Sequence, residues 1–379
     1  MSNLLINRSI LSKGWKRFQI MHKDRRVASI REDGTCTIYY PSFMPYNLYL
    51  EKASKDDFDT KLNNLTNFYY WCASRVLSLD RKYLKEILNS IGASQASTDK
   101  ERAMIAISYH GLSLTDVYWI KLSDENLTYK NLSLFRHSLS GAFADVSLKG
   151  KQLTADNAEL ISDKDAAGDV STLGMAPKAW IREKSGFYLI KDGNKRDVEA
   201  EILASKIADC FKLNHVKYSL STFKNKVVSK SKIITSEDFS IVPMEYVEIY
   251  CLNQEISKME FVLKKDRYSF YMMNIIDYLV GNTDRHWGNW GFLVDNNTNE
   301  LLGLHALMDF NKSFMAYDTL EGARCLTTED HISQKDAAIQ AVKAIGLNQM
   351  KPVDDSWFGS VKTRKMFNER LNLLKQYNQ

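Results

Sequence analysis

One stretch constrains this chain more than any other: GNTDRHWGNWGFLVDNNTNELLGLHALMDFNKSF, Gly281 to Phe314. An apolar run at helical spacing, Phe270, Met273, Ile276 and Val280, stops at Gly281, and glycine ends a helix without steric cost. A polar loop bearing Asp284, Arg285, His286 and Asn289 follows. The pattern then predicts an apolar strand Phe292 to Val294, a turn at Asn296-Asn297, a second strand Gly303 to Met308, and Asp309 at its end. The short step from Asp284 to Asn289 lets one loop present both, and a hairpin can return Asp309 beside them. Phosphoryl transfer needs a carboxylate by the attacking hydroxyl and oxygen ligands for Mg²⁺ beside the phosphates, and these three side chains are such a set. Asp-x-x-x-x-Asn is by itself a common string, and a solvated loop satisfies the same spacing.

Upstream, the order of elements adds to this. Alternation predicts strands at Lys178 to Glu183 and Gly186 to Lys191, an amphipathic helix at Asp197 to Phe211, and strands at Val216 to Phe223, Lys226 to Ile234 and Ser240 to Ile249. Before the first strand, STLGMAPK places Ser171, Thr172, Gly174 and Lys178 where one glycine lets backbone amides approach phosphate oxygens, although an ordinary turn reads the same way. Lys191 closes the run FYLIK, and a strand lysine needs a helix carboxylate to hold its ammonium against α- and β-phosphate. Glu201 fills that place, with Glu199 as its rival; a surface lysine and a surface glutamate are the bland alternative. Each part is weak alone. Phosphate loop, lysine strand, glutamate helix, sheet, apolar helix, polar loop and aspartate in one order are not.

The first part of the chain reads differently. Residues 15 to 22 and 26 to 40 predict a small sheet turning at Asp33-Gly34, and residues 56 to 112 predict successive helices. Phe58, Leu62, Leu65, Phe68, Tyr69 and Cys72 mark one helix, Gly92 closes the helix Tyr83 to Ile91, and Ser97-Thr98-Asp99 starts another. Tyr69, Tyr70 and Trp71, like Tyr118 and Trp119, are expected in the core. The polar segment from about Lys149 to Val170 marks a boundary, which gives an accessory module at 1–150 followed by two parts at 165–250 and 251–379.

Composition excludes several alternatives. Lys plus Arg is 51 against 46 for Asp plus Glu, and +5 over 379 residues is too weak a field to imply direct nucleic-acid or membrane binding. Five scattered cysteines, with no C-x-x-C, fit neither a disulfide framework nor a zinc ribbon, and they point to a reducing cytoplasm. The N-terminal MSNLLINRSILSKG is too short an apolar stretch for export, and Asp277 interrupts the apolar run Tyr271 to Val280, so no membrane span is expected. No histidine pair has the i, i+4 spacing with a glutamate that a zinc hydrolase uses, and G-x-S-x-G is missing. His286 reads as a structural hydrogen-bonder, and Lys224, Lys226, Lys230 and Lys232 read as a solvated strand face.

The order of parts resembles the HipA-like serine/threonine protein kinases, in particular their clostridial group. The family's S-x-x-G-x-x-x-K loop is matched by Ser171, Gly174 and Lys178, and its N-x-D-R-H-x-x-N-x-G loop by Asn282, Asp284, Arg285, His286, Asn289 and Gly291. Asp309 with NKSF matches its metal aspartate, AEILASKI looks like its glutamate segment and favours Glu201, and SKSKIITSEDFSIVP places the adenine hinge near Ile233 and Ile234. HGLSLTDVYWIK, His110 to Lys121, is similar to the N-terminal region of the clostridial group. Ala200 stands where the family has asparagine, and Phe310-Asn311 stands where a glycine-containing turn is usual.

The resemblance implies an α+β, two-lobed protein-kinase-like fold, with a small mixed N-lobe, a mainly helical C-lobe and an appended N-terminal α+β module. It also implies a cytoplasmic enzyme that uses ATP and Mg²⁺ on a serine or threonine hydroxyl of a protein. Asp284 would orient or deprotonate that hydroxyl, Asn289 and Asp309 would hold Mg²⁺, and Lys191 would clamp phosphates with Glu201 holding it. Ser171, with Thr172 adjacent, would be the site of regulatory autophosphorylation. A small DNA-binding antitoxin is a common partner beside this family, which makes a toxin–antitoxin role part of the same expectation. A small-molecule kinase of related fold and a non-catalytic nucleotide-binding module are the competing readings.

Overall fold

The computed structural model describes residues 17–76, 98–108, 110–136, 178–191, 193–223, 225–315, 317–330 and 332–378. The helix expected at Tyr83 to Ile91, the boundary near 149–170, Ser171, Thr172, Gly174 and Lys224 lie outside the described residues. The chain divides into two compact units. One takes in the residues up to Lys191 with Thr235–Ser240 and Asp295–Asn299, and the other takes in Asp192–Ile234, Ile241–Val294 and Glu300–Gln379.

In the first unit β1 (Arg17–His22), β2 (Arg25–Arg31) and β3 (Cys36–Ile38) are followed by α1 (Phe58–Ala73), α2 (Asp99–Ser108), β4 (Tyr118–Leu122) and the single turn α3 (Tyr129–Leu132). The strands form an antiparallel sheet in the order β3-β2-β1-β4, with Ile20 opposite Ala28 on one side and Ile120 on the other. The expected turn at Asp33-Gly34 lies between β2 and β3, and the Asp33 carboxylate accepts from the Thr35 amide there at 3.0 Å. Helix α1 begins at Asp57, whose carboxylate caps the Thr60 amide, and it packs Phe68 on Phe18 with ring centroids 5.2 Å apart. Trp71, Tyr118 and Trp119 are buried as expected, but Tyr70 is 45% exposed, Leu62 50% and Phe58 71%. The periodicity had the helix right and its buried stripe too wide. A hairpin of β5 (Lys178–Glu183) and β6 (Gly186–Lys191) completes this unit, with Lys178 opposite Lys191.

The His110 to Lys121 stretch has a structural role within this unit. Arg75 forks onto both oxygens of Asp116 at 2.9 and 2.7 Å and also reaches the carbonyls of Gly111 and Tyr118, which fixes the loop before β4. That loop and the residues just after α3 hold a segment from far along the chain: the Thr235 hydroxyl donates to the Leu114 carbonyl of the loop, and Glu237 takes hydrogen bonds from Ser133 and Arg136 beyond α3. Asn299 is buried at φ +62° and is held on every side. Its amide donates to the carbonyls of Ser42 and Met44, its Oδ1 accepts from Tyr118, and its carbonyl accepts from Tyr46.

The second unit starts with α4 (Lys195–Ala208), β7 (Tyr218–Phe223) and β8 (Lys226–Lys232). Next come β9 (Phe239–Pro243), α5 (Met244–Asn253), α6 (Lys258–Val280), β10 (Gly291–Asp295) and β11 (Glu300–Leu304), then α7 (Gln334–Ile345) and α8 (Val361–Lys375). Two expected strands are corrected. Ser240 to Ile249 is a strand only to Pro243, because Pro243 serves as an N-cap and Met244, Val247 and Cys251, buried at helical spacing, turn the rest into α5. Gly303 to Met308 is strand only to Leu304: the His305 amide makes a last bond to the Gly291 carbonyl of β10, and Leu307 exchanges backbone bonds with Asn214 and Val216 instead. The three-stranded sheet runs β11-β10-β9, and a side chain at Gly291 would meet the Val242 carbonyl at 2.1 Å, so only glycine lets β10 lie this close.

Helix α6 is the pillar of this unit. It is interrupted at Asp266, whose carboxylate caps the Ser269 amide and accepts from the Leu304 amide. From Phe270 onward nearly every side chain is buried, and Gly281 closes the helix at φ +61° with Tyr317 packed where a Cβ would sit.

We expect Asn299→Ala to destabilise the first unit by about 1–3 kcal/mol, since buried carbonyls and the Tyr118 hydroxyl would lose a partner; urea unfolding measured on the full chain checks this.

Candidate active site

The loop after α6 is organised by one guanidinium. Arg285 donates from Nε and Nη2 to the two oxygens of Asp277 at 2.8 and 3.0 Å, and both side chains are buried. Its Nη1 donates to the Asn289 carbonyl at 2.9 Å and to the Met308 carbonyl. One side chain thus ties the end of α6 to the far end of the loop and to the residue before Asp309. Asn282 repeats the link, with its amide reaching Asp277 Oδ1 at 3.2 Å and the Asp309 carbonyl at 3.3 Å. Its own carbonyl accepts from Gln334 at 2.6 Å.

On this frame stand the three side chains singled out in the sequence. Asn289 donates through its amide nitrogen to the Asp284 carbonyl at 2.7 Å. Asp309 sits at φ +62°, a left-handed conformation that costs a residue other than glycine free energy, and its amide donates to the Tyr218 hydroxyl at 3.1 Å. Burial pushes the Asp284 carboxyl above its ordinary range, and the nearby Asp309 carboxylate pushes it further, against the opposing charges of His286, Lys312 and Arg285. His286 is exposed and accepts from the Gly288 amide at 3.1 Å, the structural role expected of it.

Among the described residues no group of three or more His, Cys, Asp and Glu side chains gathers to hold a metal. The donor set here is of another kind: two carboxylates that repel each other and an amide oxygen. That suits Mg²⁺, which binds through one or two carboxylates and takes its remaining ligands from phosphates and water. Asn311 Oδ1 and Ser313 Oγ, just beyond Asp309, are buried without a partner among the described residues. Such atoms ordinarily find one, so this stretch has bonding capacity left for a polar ligand.

The other residues named from the sequence fall as follows. Lys191 is buried at the end of β6 and Lys178 is half-buried at the start of β5. Glu201, on α4, is 1% exposed and accepts from Ser229, whereas its rival Glu199 is exposed and pairs with Lys195. Ile233 and Ile234 are half-buried in the irregular stretch after β8. Asp277, Tyr218 and Lys312 were not singled out. Asp277 had a visible signal, a charge inside an apolar helix, but its partner lies beyond the helix end.

No family model matches the chain. The serine/threonine-protein kinase CtkA of Helicobacter pylori is 29% identical over 116 residues, 27% of this chain and 36% of CtkA. The chain therefore matches only about a third of the length of that curated relative. The crystal structure of the H. pylori proinflammatory kinase CtkA aligns over 54% of this chain and 91% of its own, with 18% identity and a TM-score of 0.44. The complex of HipA, HipB and operator DNA from a toxin–antitoxin system of Shewanella oneidensis MR-1 contains a chain that aligns over 95% of this one and 99% of its own, at 12% identity and a TM-score of 0.54. The fold is HipA-like. It is the α+β, kinase-like fold that the sequence resemblance implied.

Two outcomes are expected of the frame. Arg285→Ala leaves Asp277 buried and unpaired and should cost about 3–5 kcal/mol, read by urea unfolding. Asp284→Asn should raise the Tm at neutral pH. A carboxyl whose folded-state pKa lies above its unfolded value destabilises the fold when ionised, so the gain should shrink as pH falls through the folded pKa and vanish below the ordinary value of 3.8. Thermal melts of both proteins across pH check the sign.

Proposed function

We propose that the chain is an ATP- and Mg²⁺-dependent serine/threonine kinase of the HipA-like type, acting on a protein hydroxyl. The observation that carries this reading is the mounting of Asp284, Asn289 and Asp309 on one buried frame, Asp277 and Arg285. CtkA, named a serine/threonine-protein kinase, supports it from the sequence side.

In the proposed step the substrate hydroxyl oxygen bonds to the γ-phosphorus while the bond from that phosphorus to the β,γ-bridging oxygen breaks. ADP departs with the electron pair. The hydroxyl proton passes to the Asp284 carboxylate, whose raised pKa makes it a better acceptor than an ordinary aspartate, and from there to solvent. Asn289 and Asp309 are the residues that would hold Mg²⁺, which when bound neutralises phosphate charge. Lys191 and Lys178 are proposed as phosphate ligands with Ser171, Thr172 and Gly174, Glu201 as the helix carboxylate, and Ile233 and Ile234 as the adenine contacts.

Ser171 is proposed as an autophosphorylation site. A phosphate there adds nearly two negative charges beside the ATP phosphates and would weaken nucleotide binding. A small DNA-binding antitoxin-like protein is proposed as partner, since the Shewanella structure contains HipB and operator DNA. A cytoplasmic location is proposed as part of the same reading; separately, no helix among the described residues is long and apolar enough to cross a membrane.

Incubation with γ-labelled ATP and Mg²⁺ tests the reading. Label should enter the protein or a lysate protein on serine or threonine, chelation should stop it, and Asp284→Asn or Asp309→Ala should lower the rate by about 10³-fold or more. Lys191→Ala should weaken ATP use. Equal labelling by the wild type and Asp284→Asn would sink the proposal.

A further inference from the structure

Resting on that reading, we propose that Lys312 is a catalytic residue that binds the terminal phosphate of ATP and neutralises it during transfer. Lys312 lies three residues beyond Asp309, and its carbonyl faces both the amide and the hydroxyl of Thr283 at 3.4 Å, which ties it to the loop that carries Asp284. Its ammonium rests on Asp197 at 2.8 Å, with the lysine side chain 36% exposed. Asp197 sits in the first turn of α4, where the helix dipole already stabilises a carboxylate. A partly exposed pair of this kind contributes little net stability, so the ammonium can be exchanged to a stronger anion.

The charge balance points the same way. Three cationic groups act on the Asp284 carboxyl: His286, Lys312 and Arg285. Arg285 is committed to Asp277 and two carbonyls, and His286 accepts from its own loop. Lys312 alone of the three ends in a flexible chain whose ammonium has, among the described residues, one exchangeable partner, Asp197. The buried polar atoms without a partner among the described residues in this stretch, Asn311 Oδ1 and Ser313 Oγ, flank Lys312 on either side. A transferring phosphoryl group spreads negative charge over three oxygens, and two carboxylates stand close by. A cation that leaves Asp197 for those oxygens as ATP enters supplies the charge that the frame itself does not.

Two readouts separate this inference from the kinase reading beneath it. One is the rate of labelling by γ-labelled ATP with Mg²⁺. The other is equilibrium binding of Mg²⁺-ATP against Mg²⁺-ADP, which needs no turnover. Lys312→Met should transfer about 100-fold more slowly, bind ATP more weakly and bind ADP as the wild type does. Lys312→Arg should recover most of the rate. Asp197→Asn should transfer at least as fast as the wild type. Parallel losses in Lys312→Met and Asp197→Asn would show a mere strut and overturn the proposal, as would Lys312→Met with wild-type rate and affinities. A wild type that transfers nothing yet prefers ATP over ADP, with that preference removed by Lys312→Met, would defeat the kinase reading and keep Lys312 as a phosphate ligand. A wild type with no such preference would defeat the inference itself.

Discussion

The buried pair of Asp277 and Arg285 is the interaction on which the candidate site depends. Neither charge can be left alone in the interior, because a single buried ion is far more costly than a matched fork. The pair is therefore obligatory once the end of α6 is buried, and it uses the three nitrogens of Arg285 to fix three places at once: the helix, the end of the loop at Asn289 and the approach to Asp309 at Met308. Gly281 makes the geometry possible by turning the chain under the Tyr317 ring. Arg370, fully buried between the rings of Tyr278 and Tyr317, donates to the Tyr278 carbonyl and holds that corner from α8.

Stability and the proposed chemistry pull against each other here. Asp309 is held in a left-handed conformation, and Asp284 is kept partly buried near a second carboxylate, so the fold tolerates one strained residue and one like-charge contact in the same place. Such costs persist only where surrounding bonds over-determine the geometry. The Tyr218 hydroxyl on the Asp309 amide and the Asn282 amide on its carbonyl do so. The first unit shows the same logic without the chemistry: Asn299, also left-handed, is kept by hydrogen bonds from its side chain, its carbonyl and its amide.

Much of this was readable from residue order. Period-two alternation placed β5 and β6 at their observed ends, helical spacing with a terminal glycine placed α6, and the polar loop carried the side chains that the structure gathers. What escaped has physical causes. The MEYVEIY run is rich in β-branched and aromatic residues, which favour a strand locally, and burial of Met244, Val247 and Cys251 overrode that preference. The pairing of Asp277 with Arg285 crosses a helix end, where no fixed spacing applies. Tyr218 meets Asp309 across 91 positions and Asp197 meets Lys312 across 115, distances at which only the folded chain makes neighbours. Tyr70 missed because an aromatic residue beside a buried stripe looks the same in sequence as one within it.

The most direct measurement is a crystal structure with Mn²⁺ and a non-hydrolysable ATP analogue, with the metal located by its anomalous scattering. The account predicts Mn²⁺ bound to Asn289 Oδ1 and the Asp309 carboxylate, with the triphosphate alongside and Asp284 facing its terminal phosphate. Metal and triphosphate bound elsewhere, with Asn289 and Asp309 still turned to protein partners or water, would contradict it.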